Sequence, residues 1–141
     1  MTSKQNQNKR QEEKTMAILV TGGAGFIGSH TVVELQNAGY DVVVADNLYN
    51  SSKKAVDRVE QITGKKLKFY EVDLLDQPKV KEIFDKEEIE AVIHFAGLKA
   101  VGESVHKPLE YYNNNITGTL ILCDEMRKHG VKNIVFSSSA T

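Results

Sequence analysis

Two kinds of hydrophobic pattern alternate along this chain. Short apolar runs recur at MAILV (16–20), DVVVAD (41–46), KLKFYEVD (66–73), AVIHFAG (91–97) and NIVFSSS (133–139). Runs of this length between turn residues predict strands, with the third alternating only loosely. Between them, apolar residues recur at helical spacing. Ile27, Thr31, Leu35 and Ala38 form one face, stopped by Gly39; Val56, Val59 and Ile62 form a second, closed by Gly64. Pro78 opens a third helix with Val80, Ile83 and Phe84, and Tyr112, Ile116, Leu120 and Cys123 mark a fourth, longer one. No hairpin signal interrupts the alternation. It therefore predicts right-handed crossovers and a doubly wound α/β fold, with at least five strands in a parallel sheet covered on both faces. Ligands of such a sheet sit beyond the carboxyl ends of its strands.

Composition narrows the function classes. The chain has 141 residues, 40% apolar, with a formal charge of −1, the balance of one soluble globular domain. No basic excess points to nucleic acid or a membrane surface, and no apolar run approaches spanning length. MTSKQNQNKRQEEKT (1–15) has no apolar residue after Met1, so residues 1–15 are expected to be a disordered tail before a domain at 16–141. That tail lacks the apolar core of a signal peptide, and Glu12 and Glu13 argue against a transit peptide. The expected location is the cytoplasm, where the single cysteine, Cys123, stays reduced.

The first strand runs into TGGAGFIG, which sets Gly22, Gly25 and Gly28 three residues apart before a helix. Glycines there allow a tight turn, backbone approach to a pyrophosphate, and close packing of helix on strand. The helix amino terminus adds free N–H groups and partial positive charge. A glycine trio alone is weak evidence, because turns before helices favour glycine anyway. Asp46 strengthens it, ending the second strand eighteen positions after Gly28. A carboxylate there can accept hydrogen bonds from an adenosine ribose and would repel the extra phosphate of NADP, so NAD is the expected cofactor. Asp73, ending the third strand, could reach an adenine or simply cap the following segment. Ala96 and Gly97 would let a cofactor lie against the backbone beyond the fourth strand.

TGGAGFIGSH, ADNLYNSS, HFAGLKAVGES, KPLEYYNNN and FSSSAT together resemble the extended short-chain dehydrogenase/reductase superfamily, and within it the UDP-glucose 4-epimerase family. The likeness runs from Ile18 to Thr141. ADNLYNSS is most similar to fungal forms, some of which carry an added aldose 1-epimerase domain. The resemblance implies a Rossmann NAD-binding domain over 16–141, incomplete at its carboxyl end and without the substrate domain. It also implies interconversion of UDP-galactose and UDP-glucose, by transient oxidation at C4 and hydride return to the opposite face. Gly22, Gly25, Phe26 and Ile27, with Gly28, match the family's phosphate turn. Asp46, Asn47, Asn50 and Ser51 match its adenosine-ribose side, and Asp73 and Leu74 its adenine contacts. Phe95, Ala96, Gly97 and Lys99 match the nicotinamide-side loop, and Asn114 a cofactor contact on the long helix. Ser139 matches the catalytic serine that hydrogen-bonds the reacting C4 oxygen.

The family's general base, a tyrosine four residues before a lysine, would follow FSSSAT, and these 141 residues do not include it. The 141-residue chain is therefore expected to be inactive alone. Tyr49 and Lys53 have that spacing but lie on the adenosine side, far from the expected sugar, and are read as a chance match. The absent helix should leave apolar surface exposed on the sheet and between Leu109 and His129. The resemblance implies a homodimer through that helix and a UDP-hexose substrate. No metal is expected, since His30, His94, His106 and His129 are scattered. His94 reads as a hydrogen-bonded core histidine, while His106 points to no role. Two alternatives remain: another NAD-dependent nucleotide-sugar dehydratase or decarboxylase, and a catalytically silent NAD-binding module.

Overall fold

A computed structural model describes residues 16–49, 51–97 and 105–137. The expected tail at 1–15 lies outside them. Five strands form one parallel sheet: β1 (Ala17–Thr21), β2 (Asp41–Asp46), β3 (Lys68–Glu71), β4 (Ile89–His94) and β5 (Asn133–Phe136). Their order is β3-β2-β1-β4-β5, so the chain reverses direction across the sheet between β1 and β4. That is the order and switch point of the doubly wound fold. The helices lying wholly within the described residues are α1 (Phe26–Asn37), α2 (Lys53–Thr63), α3 (Gln77–Lys86), α4 (Pro108–Tyr112) and α5 (Gly118–Lys128). One π-helical turn, Asn113–Thr117, joins α4 to α5.

Side chains alternate across the strands and build a core on each face. Ala17, Leu19, Val43 and Val92 pack with Val80, Ile83, Phe84, Leu122 and Met126 of α3 and α5. Ile18, Val20, Val42 and Val44 pack with Val32, Val56 and Val59 of α1 and α2. All of β1 is buried, as expected for a central parallel strand clad on both sides. Register aligns the carboxyl ends: Thr21 pairs with both Ala45 and His94, and Asp46 pairs with Glu71.

Three helix faces differ from the periodicity. On α1 the buried set is Gly28, Val32 and Gln36, one position beyond the expected face, and Ile27 is exposed. The Gly28 position faces the Gly22 carbonyl with no room for a Cβ, so the helix turns its bare glycine, not Ile27, toward β1. On α2, Val56 and Val59 are buried but Ile62 is exposed. Its neighbour Thr63 turns toward α1 instead, donating to Gln36 Oε1 at 3.1 Å. Tyr112, Ile116, Leu120 and Cys123 face outward, while Leu122 and Met126 face the sheet and Tyr111 is buried. That helix is apolar on two sides, and spacing alone does not say which one meets the strands. Ile134, Val135 and Phe136 on the edge strand β5 are exposed as well.

Candidate functional site

The glycine turn, the end of β2, the end of β3, the segment after β4 and the π-helical turn converge on one open cleft. It is lined by Gly22, Gly25, Asp46, Asn47, Tyr49, Ser51, Val72, Asp73, Leu74, Phe95, Ala96, Gly97 and Asn114. The cleft lies at the carboxyl ends of the strands, where the doubly wound fold places ligands.

Two glycines are structurally required. Gly22 has φ +72°, and a Cβ there would sit 2.7 Å from the Ala96 nitrogen. A Cβ on Gly28 would sit 2.2 Å from the Gly22 carbonyl oxygen. Neither position has room for a side chain, so α1 starts hard against the end of β1. Gly25 is its N-cap, with no side chain capping the helix and no acid in its first turn. By contrast, Ser52 caps α2, accepting from the Lys54 N–H at 3.2 Å. The amino end of α1 thus keeps donors and positive potential facing a cradle of bare backbone, which suits an anion.

Asp46 is buried at the tip of β2. Its Oδ2 accepts from the Ala24 N–H at 3.1 Å, and its Oδ1 accepts from the Leu48 N–H at 2.8 Å and the Ser51 hydroxyl at 3.0 Å. A carboxylate has about four acceptor positions. One remains on Oδ2, and Ser51 can rotate away to free another, so a ribose hydroxyl can be accommodated. Asn47 Oδ1 accepts from the Tyr49 N–H at 3.0 Å, and Asp73 Oδ1 accepts from the Leu75 N–H at 2.9 Å. The loop after β2 therefore holds its own shape, including Leu48 at φ +59°.

Of the residues expected in the site, eleven from Gly22 to Asn114 meet in this cleft. Phe26, Ile27 and Gly28 do not line it. Phe26 and Ile27 project outward from the first turn of α1, and Gly28 serves packing. Asn50, Lys99 and Ser139 lie outside the described residues. Val72 lines the cleft although sequence reasoning passed over it, and Tyr49, placed on the adenosine side but given no binding role, lines it too. Val72 adjoins Asp73 and Tyr49 lies two residues after Asn47, so nearness in sequence was the available signal. Lys53 opens α2 rather than joining Tyr49 in the cleft.

His94 is a buried, hydrogen-bonded histidine, lying 2.6 Å from Thr21 Oγ1 and 3.0 Å from Thr119 Oγ1. His129 sits away from the cleft, where its hydrogen bond with Asp85 raises its pKa above the ordinary value. Burial and the Glu87 carboxylate push the Tyr70 phenol up to about 12, which makes it unsuited to act as a base. Among the described residues, no cluster of three His, Cys, Asp or Glu is placed to hold a metal. No described helix is long and apolar enough to cross a membrane.

Comparison with known proteins points to one family. UDP-glucose 4-epimerase from Bacillus subtilis is 71% identical over 126 residues, covering 89% of this chain and 37% of that protein. The enzyme uge1 of Schizosaccharomyces pombe is 61% identical over 124 residues, covering 88% of this chain and 35% of that protein. The chain therefore spans little more than a third of the curated relatives it matches. The crystal structure of UDP-glucose 4-epimerase from Bifidobacterium longum in complex with NAD+ and UDP superposes with a TM-score of 0.87. Its identity is 58%, over 89% of this chain and 37% of that one. The model of the NAD dependent epimerase/dehydratase family matches residues 18–141, nearly the whole chain, and the chain belongs to that family.

Proposed function

We propose that this chain provides the NAD-binding part of a UDP-glucose 4-epimerase, an isomerase interconverting UDP-galactose and UDP-glucose. The observation that carries this reading is the joint placement of Asp46 and the glycine cradle in one cleft, tied together by the Ala24 N–H bond to the Asp46 carboxylate. The epimerase relatives and the B. longum complex with NAD+ and UDP support the same assignment.

The residues present fit the dinucleotide. Gly22 and Gly25 expose backbone to a pyrophosphate at the amino end of α1. Asp46, with Asn47 and Ser51 beside it, would receive the adenosine ribose, Asp73 and Leu74 would border the adenine, and Phe95, Ala96, Gly97 and Asn114 would border the nicotinamide half. When bound, NAD supplies a hydride acceptor and donor for C4 of a UDP-hexose. Ser139, outside the described residues, is the residue that by the family resemblance would hydrogen-bond the C4 oxygen. Exposed Leu109, Tyr112, Ile116 and Leu120 form the face through which two copies pair.

Calorimetric titration tests the reading. The 141-residue chain should bind NAD, bind NADP more weakly, and show no UDP-galactose turnover. Failure to bind NAD would refute the cofactor assignment, and appreciable turnover would refute the division of labour.

A further inference from the structure

Thr21, His94 and Thr119 form a hydrogen-bonded chain beneath the cleft, running from the end of β1 through the end of β4 to the first turn of α5. His94 is 2% exposed and Thr21 is 0% exposed. The Thr119 hydroxyl donates to the Asn115 carbonyl at 2.6 Å, within the π-helical turn. The Ala96 N–H donates to Thr21 Oγ1 at 3.4 Å.

Donor counting places the protons. A threonine hydroxyl has one proton, and Thr119 commits its own to Asn115. Toward His94 Nε2, 3.0 Å away, Thr119 can only accept, so Nε2 carries a hydrogen. Thr21 Oγ1 already accepts from Ala96, and its own proton needs an acceptor. His94 Nδ1, 2.6 Å away, supplies one. The ring is then neutral with its proton on Nε2. A doubly protonated ring would aim a second donor at Thr21 Oγ1 and displace the proton of a fully buried hydroxyl, an unfavourable arrangement.

We infer that His94, as the neutral Nε2–H tautomer, is a positioning residue that clamps three segments of the cofactor cleft together. Thr21 directly precedes Gly22, and Phe95, Ala96 and Gly97 directly follow His94. Asn115 adjoins Asn114, and its side-chain oxygen lies 3.3 Å from where a Cβ on Gly97 would stand. One ring therefore sets the spacing of the phosphate turn, the segment after β4 and the π-helical turn. The role in cofactor binding rests on the NAD reading above.

Long-range 1H–15N spectra of the full chain test the tautomer without cofactor, and NAD titration of two variants tests the clamp. Wild-type His94 should show the Nε2–H form. Thr119→Val, which keeps shape but loses the hydroxyl, should bind NAD about tenfold more weakly. Thr119→Ser should restore affinity to within about twofold. An Nδ1–H or doubly protonated ring in the wild type overturns the inference, and that spectrum decides even if Thr119→Val unfolds. Equal NAD affinity in wild type and Thr119→Val overturns it too. Absence of NAD binding by the wild type is a different outcome: it removes the cofactor reading and the clamp's purpose with it.

Discussion

The Ala24 N–H donates to Asp46 Oδ2 at 3.1 Å, tying the glycine turn after β1 to the tip of β2. One carboxylate thus braces the glycine turn while keeping an acceptor position open to the cleft. Asp46→Asn preserves size but removes the charge and one acceptor. NAD affinity should fall by about ten- to a hundredfold, the range for charged hydrogen bonds. The preference for NAD over NADP should narrow at the same time. Titration with both dinucleotides checks this, and an unchanged ratio would mean that Asp46 does not read the ribose.

Gly28 answers to packing rather than to the ligand. A methyl group there would meet the Gly22 carbonyl oxygen at 2.2 Å, forcing α1 away from β1. Gly28→Ala should cost about 3 kcal/mol, at the upper end for overpacking. Ser29→Ala, which loses a hydroxyl bond to the Phe26 carbonyl at 3.0 Å, should stay within about 0.5 kcal/mol. Urea unfolding of the two variants separates the effects.

His129 should make stability depend on pH. Its Nε2 lies 2.8 Å from Asp85 Oδ1, which raises its pKa from 6.5, and Asp85 is lowered from 3.8 by Lys81 and by His129. Glu125 and Lys128 of α5 also face this group. A raised histidine stabilises fully below its unfolded value and loses that contribution as pH rises through the folded one. A lowered carboxylate contributes above its unfolded value and loses that as pH falls through its folded one. The pair should therefore help most between about pH 4 and 6.5 and fade above neutrality. Asp85→Asn should flatten the decline seen in unfolding midpoints from pH 6 to pH 8.

Tyr49 and Lys53 carry the spacing of a catalytic pair but divide between the cleft and the start of α2. Tyr49→Phe in a complete enzyme should leave turnover within about twofold of wild type, because no reacting proton is placed near it. Abolished turnover with intact NAD binding would relocate the reacting centre.

Leu120 lies on the outward apolar face with Tyr112 and Ile116. Sedimentation should find the chain self-associating, and Leu120→Lys should shift it toward monomer without lowering NAD affinity. Persistent association of Leu120→Lys would place the contact elsewhere, with exposed Val135 and Phe136 on β5 as the next surface to test.

Period and punctuation in the sequence determined the strand and helix order, the parallel sheet, the glycine turn and the acidic end of β2. These features are local, and each follows from a few neighbouring residues. Eleven of the residues expected to hold the cofactor meet in one cleft, because strand ends in this fold converge wherever they lie in sequence. Tertiary structure decided what depends on contacts between distant segments. The rotation of α1 was set by the meeting of Gly28 with the Gly22 carbonyl, and the exposed side of the long helix by the competition between two apolar faces for one sheet. His94 became a link between Thr21 and Thr119 because register put those residues on either side of its ring. A side chain's partners across 73 positions of sequence depend on how the sheet closes, which local pattern does not encode.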